Sequence, residues 1–108
     1  NKIICLWSSF NHLLKKSNQI KALKEMRRVL KKGGLAIMDL PNGESEWAKE
    51  HVKIYGRVVP DTIGGLKVFN YIHDKSTLKN IGKRTKFKQI IKYKNIAGRK
   101  RLIWILKK

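Results

Sequence analysis

Two apolar runs, Asn1 to Trp7 (NKIICLW) and Leu35 to Leu40 (LAIMDL), each lead into short polar side chains. Open α/β sheets bind ligands just beyond the carboxyl ends of their strands, so the residues to inspect are Leu6, Trp7, Ser8, Ser9, Phe10 and His12, then Asp39, Pro41 and Asn42. His12 carries the one ring in these clusters that titrates near neutrality, which suits it to take a proton from an amine or hydroxyl; the competing reading is a packed, satisfied histidine. Ser8 and Ser9 read equally as substrate contacts or as a polar loop that caps the following helix. His51 and His73 have no mutual ligand spacing, and with Cys5 as the sole cysteine no metal site is assigned. Cys5 reads as a buried strand residue. Trp47, Tyr55, Phe69 and Tyr71 suit either an aromatic lid or helix-on-sheet packing, the packing reading being preferred.

The elements that would position these residues follow from pattern. Asn1 to Trp7 reads as a strand covered on both faces. Ser17 or Asn18 can cap a helix carrying Ile20, Leu23, Met26 and Leu30 on one stripe, and Gly33-Gly34 can end it. Leu35 to Leu40 is a second strand, closed by the Pro41-Asn42-Gly43 turn, so the first three elements form a βαβ unit. Glu44 to Tyr55 is helix-compatible with acids at its start, and Gly56 stops it. Residues 57 to 68 are the least regular, a loop or a short strand pair, with Phe69 to His73 a short extended segment. Ser76 can cap a helix to about Arg84 with Leu78 and Ile81 inward. Phe87 to Ile96 alternates Phe87, Ile91 and Tyr93 against Lys88, Lys92 and Lys94, and a turn at Ala97-Gly98 joins it to the apolar Arg101 to Lys107 run. One of these last strands is therefore an edge and the other central.

The chain has 108 residues, sized for one core, and no apolar run is long enough to span a bilayer. Residue 1 is Asn, which opens directly into the first strand; the expectation is a single partial domain, the C-terminal piece of something longer, in the cytoplasm. Lys and Arg number 26 against 7 Asp and Glu, a formal charge of +19, and no acid follows Asp74. Such a field attracts nucleic acid or anionic surfaces in a salt-dependent way, although lysine outnumbers the arginine suited to bidentate phosphate recognition. The preferred account is a solvated lysine surface whose balancing acids belong to a missing N-terminal part, and the expected polypeptide partner is that N-terminal half or a partner chain.

CLWSSFNHLL, the helix ending in EMRRVLKKGG, and the strand LAIMDLPN together resemble the C-terminal half of class I S-adenosylmethionine-dependent methyltransferases. The helix, Gly-Gly, strand segment Arg28 to Gly34 is similar to that family's RVLKPGG, with Lys32 in place of proline. LWSSFNHL and IMDLPN are similar to the strand ends of the glycine and sarcosine N-methyltransferase branch. The resemblance implies a three-layer Rossmann-like fold with a mixed sheet ending in an antiparallel hairpin, its strands ordered fourth, fifth, seventh, sixth. It leaves an open edge at Asn1 to Trp7, which predicts self-association. It implies S-adenosylmethionine as cofactor, held along Leu6, Trp7 and Ser8. A small-molecule methyl acceptor would face Ser9, Phe10 and Asn42, with His12 as the candidate base and residues 44 to 68 as a variable substrate cover. The family's Gly-rich turn and ribose-binding acid have no counterpart in this sequence, so the chain by itself is expected to be inactive. A basic RNA-binding module, or a methyltransferase acting on nucleic acid, is the alternative.

Overall fold

A computed structural model describes residues 1 to 5 and 9 to 108. Strand β1 (Lys2–Cys5) is followed by a 3-10 turn (Ser9–His12), helix α1 (Lys16–Val29) and strand β2 (Leu35–Pro41). Helix α2 (Glu46–Tyr55), the hairpin β3 (Val58–Ile63) and β4 (Leu66–Tyr71), helix α3 (Lys75–Arg84), and strands β5 (Lys88–Ile96) and β6 (Arg99–Lys107) complete the chain. The main sheet has the order β1-β2-β6-β5, with β1 parallel to β2 and the other pairs antiparallel. The mixed sheet, its closing hairpin and the central place of β6 are as the sequence predicts. Strand β1 lies at the edge.

Period-2 alternation decides which face is dry. Ala36, Met38 and Leu40 of β2 and Leu102, Trp104 and Leu106 of β6 are fully buried, and they pack with Leu23 and Leu30 from the α1 stripe, Leu78 and Ile81 of α3, and Phe87. Helices α1 and α3 thus form a single layer on one face of the sheet. Trp104 donates its indole N–H to Gln89 Oε1 at 3.0 Å, so this core ring buries no unsatisfied donor. A smaller cluster of Ala48, Val59 and Ile72 joins α2 to the β3–β4 hairpin.

Helix ends differ from the sequence reading in four places, the simplest being that α2 begins at Glu46 behind a Ser45 cap and not at Glu44. The N-cap of α1 is Lys15, which makes no side-chain cap, so Ser17 and Asn18 lie inside the first turn. Its last turn closes at Leu30, before Gly33, because the Lys108 ammonium takes up the free Arg27 and Leu30 carbonyls at 2.6 and 2.7 Å. Gly33 instead makes a left-handed turn, φ 81°, into β2. Asp74, not Ser76, caps α3: Thr77 stands three residues on and completes a reciprocal capping box, which Ser76 has no partner to form.

Candidate active site

The carboxyl ends of β1 and β2 open into a cleft of about 730 Å³. One wall comes from the 3-10 turn through Asn11 and His12; another comes from Pro41, Asn42 and the first turn of α2; the hairpin adds Asp61, Ile63 and Asn70. Residues 99 to 101, which open β6, close it with basic side chains. Among the described residues no helix is long and apolar enough to cross a membrane, and no group of His, Cys, Asp and Glu has metal-site geometry.

Each wall is held for a local reason. The carboxamide oxygen of Asn42 accepts the Glu44 N–H at 3.0 Å, an Asx turn that leaves its amide protons as the donors available to a ligand. Ser45 then caps α2 by accepting the Ala48 N–H at 3.2 Å. Asp39 binds Arg101 at 2.7 Å with both side chains mostly shielded, tying the end of β2 to β6, so this carboxylate is committed to an ion pair. His12 is exposed, and its Nδ1 lies 3.3 Å from the Phe69 carbonyl. A carbonyl only accepts, so that bond puts the ring proton on Nδ1 and leaves the Nε2 lone pair as the basic site.

The structure sorts the sequence-predicted residues. His12 and Asn42 line the cleft together. Ser9 is exposed at the head of the 3-10 turn, outside the cleft lining. Phe10 is a correction: it is 3% exposed and its ring lies 5.7 Å from His73 and 5.9 Å from Trp104, in the core and outside the cleft lining. The residue that lines the cleft in its place is Asn11, 1% exposed, whose side-chain oxygen has no hydrogen-bond partner among the described residues. An orphaned buried acceptor costs on the order of 1–3 kcal/mol, so it asks for a donor from a ligand or water. Sequence carries little signal for it, since Asn11 looks like any residue of a polar break. Leu6, Trp7 and Ser8, the expected cofactor contacts, lie outside the described residues.

The aromatic residues also depart from expectation. Trp47, Tyr55 and Phe69 are about half exposed and do not pack in the core. On α2, Trp47 and Tyr55 form a stack with His51 at four-residue spacing, Trp47 on His51 with centroids 4.0 Å apart and His51 on Tyr55 at 6.3 Å, with Trp47 on the cleft wall. Tyr93 is clamped between the ammonium groups of Lys75 and Lys100, at 4.6 and 4.7 Å from its ring.

His73 belongs to a different environment. It is 2% exposed beside Tyr71 and Phe10, with Nδ1 2.9 Å from the Thr77 hydroxyl. Burial, assisted by the positive charge of Arg57, pushes its pKa down to about 4 against the opposing pull of Asp74. Arg57 in turn binds Asp74 at 2.9 Å and the Ile72 carbonyl at 3.1 Å, pinning the hairpin to the head of α3. His73 Nε2 and Gln19 Oε1 lack partners and border a polar cavity of about 190 Å³, room enough for ordered water. Burial raises the Cys5 thiol as well, which fits the inert strand residue the sequence suggests.

No protein-family model matches this chain, and no curated protein matches it by sequence. Solved structures do match it. One is an S-adenosylmethionine-dependent methyltransferase from Clostridium acetobutylicum, with a TM-score of 0.70 and 11% identity over 98% of this chain. Another is an S-adenosylmethionine-dependent methyltransferase from Methanosarcina mazei, with a TM-score of 0.73 and 12% identity over 99% of it. The chain spans 57% and 58% of the length of these two proteins. In arrangement of strands and helices, the chain has the mixed α/β fold of S-adenosylmethionine-dependent methyltransferases.

Proposed function

We propose that this chain is the acceptor-binding half of an S-adenosylmethionine-dependent methyltransferase of the class I type, acting on a small molecule that presents an N–H or O–H group. The observation that carries the reading is the pairing, on one cleft wall at the strand ends, of the unsatisfied Asn11 oxygen with the exposed His12 ring. An amine or hydroxyl donates to Asn11 Oδ1, which orients it. His12 Nε2 is the atom that accepts the proton such an acceptor must lose. Asn42 offers amide donors, Trp47 offers an apolar wall, and residues 44 to 68 cover the site as its variable part.

The cofactor, when bound, supplies an electrophilic sulfonium methyl. The described residues fit the acceptor side of such a site: the cleft volume falls in the range of small-molecule pockets, and Asn11 lacks only a donor. They do not fit the rest of the cofactor, because the sequence has no Gly-rich turn after a strand and no acid ending a neighbouring one. Turnover therefore requires a complementing half, and the chain alone is inactive. The glycine and sarcosine branch, a cytoplasmic setting and a single partial domain belong to the same proposal.

Calorimetric titration of the polypeptide purified from its own cells with S-adenosylmethionine tests it. Saturable binding that S-adenosylhomocysteine displaces is expected. Steeply salt-dependent RNA binding with no heat from S-adenosylmethionine would replace the reading with a basic RNA-binding module, which the +19 charge and the lysine-clamped Tyr93 ring favour.

A further inference from the structure

Helix α2 is apolar on two sides. Ala48 and Val52 pack against Val59 and Ile72. The other side carries Trp47, His51, Ile54 and Tyr55, whose offsets of four, seven and eight residues from Trp47 place them on one stripe. Trp47, Ile54 and Tyr55 are 50%, 73% and 54% exposed. The stripe is already ordered: His51 Nδ1 lies 2.7 Å from the Trp47 carbonyl, and the His51 ring stacks on the rings of Trp47 and Tyr55. Rings fixed before contact lose little side-chain entropy on binding, so such a stripe suits docking.

Charge says what the stripe meets. Of the 7 acids, Glu25, Asp39 and Asp74 are bound to Arg28, Arg101 and Arg57. The other four, Glu44, Glu46, Glu50 and Asp61, lie on α2, the turn before it and the hairpin beside it. Residues 44 to 61 hold these four acids and three bases, so this face is near neutral in a chain of charge +19. Three glutamates beside the stripe oppose a nucleic acid or an anionic lipid surface, and an acid-rich partner is drawn to the lysines elsewhere. The arrangement is instead self-complementary. Glu44 and Glu46 stand at the amino end of α2 and Lys53 near its carboxyl end. Two copies packed antiparallel about a twofold axis set each acidic end against a basic one and oppose the two macrodipoles. The lysines of the remaining surface are screened beyond about 8 Å at physiological salt.

We infer that α2 is a homodimer contact, in which two copies of this chain pack α2 against α2 antiparallel, Trp47 of one over Ile54 and Tyr55 of the other. Trp47 also lines the cleft, so the second copy borders the cleft mouth of each protomer. A helix of 10 residues is about 15 Å long, and one side of it offers less than the about 800 Å² per partner of a standard interface, so the dimer is weak and concentration-dependent. The inference does not depend on the catalytic reading. Its test is sedimentation equilibrium at physiological salt, from micromolar to millimolar concentration, of the polypeptide purified from its own cells. A reversible monomer to dimer equilibrium is expected. Ile54→Gln with Tyr55→Gln should weaken it at least about tenfold. Both sites are exposed and glutamine keeps helix propensity, so thermal unfolding of that variant should match the wild type. The pair Glu46→Lys, Glu50→Lys and, in a second chain, the pair Lys49→Glu, Lys53→Glu should each abolish self-association. An equal mixture of these two chains should associate as a heterodimer, which the glutamine changes in either chain should abolish. A chain that stays monomeric throughout overturns the inference, as does a mixture that fails to associate. A dimer that survives the glutamine variant, as pairing through the open edge of β1 would, overturns it equally.

Discussion

Two histidines, His12 and His73, are each anchored through Nδ1, one to a backbone carbonyl and the other to a hydroxyl, and they differ in burial and in the charges beside them. His12 stands exposed on the wall of a cleft at the strand ends. His73 is packed beside Phe10 and Tyr71 with its pKa pushed down to about 4. The anchoring bond orients a ring, and the solvent around the other nitrogen decides whether the ring exchanges protons near neutrality. A titratable residue type is thus weak evidence of chemistry until its desolvation is known.

The largest expected effect is on the buried side of that comparison. The folded pKa of His73 lies below the unfolded value, so the unfolded chain binds the extra proton. Its contribution is fully present above pH 6.5 and is lost as pH falls from there toward 4. The loss amounts to about 3 kcal/mol over that window. Urea unfolding at pH 7 and pH 4.5 measures it, and His73→Phe should remove that part of the pH dependence. An unchanged slope would mean that His73 is solvated. On the exposed side, His12→Ala in the polypeptide isolated from its own cells should lower methyl transfer by about a hundredfold while the unfolding midpoint stays where it is. A fall in stability with no change in rate would make His12 a structural residue like His73.

Gly43 joins the two regions, since its N–H donates to the His73 carbonyl at 3.0 Å while Asn42 beside it lines the cleft. A Cβ there would lie 2.0 Å from that carbonyl oxygen, a backbone atom with no rotamer to yield. Gly43→Ala should cost about 2 kcal/mol and disturb the cleft together with the His73 environment, read as loss of the low His73 pKa by NMR titration. The smallest effect is at Asp74. Burial acts to raise its pKa, but hydrogen bonds from the Thr77 N–H and the Arg57 guanidinium hold it below the ordinary carboxylate range. Asp74→Ala should cost about 1 kcal/mol as a lost cap, with the amide-exchange change confined to the first turn of α3 and to the hairpin end that Arg57 holds against it.

Much of the fold was legible because apolar runs and Gly-Gly turns are local. LAIMDL and LIWIL mark the two central strands, and Gly64-Gly65, both at positive φ, mark a hairpin that Pro60 and Asp61 had made hard to separate from a loop. The caps were harder. Asp74 and Ser76 are equally good cap residues, and only the hydroxyl of Thr77 reaching back to the Asp74 N–H tells them apart. The site was partly legible. His12 and Asn42 follow strands, where open sheets place their ligands. The burial of Phe10 was not legible, because which residue of the polar break faces the core depends on Trp104 and His73, many residues away. The exposed α2 rings show the reverse error, since an apolar stripe on a helix does not say whether a neighbour covers it.

The most direct test of the methyltransferase reading is label transfer from S-adenosylmethionine carrying a tritiated methyl group, with the polypeptide isolated from its own cells and the dialysable small molecules of the same cells as acceptors. The account predicts tritium in a small amine or hydroxyl compound, with transfer falling by about a hundredfold in His12→Ala and clearly in Asn11→Ala. No transfer to any dialysable compound, or label found only in RNA, would contradict it.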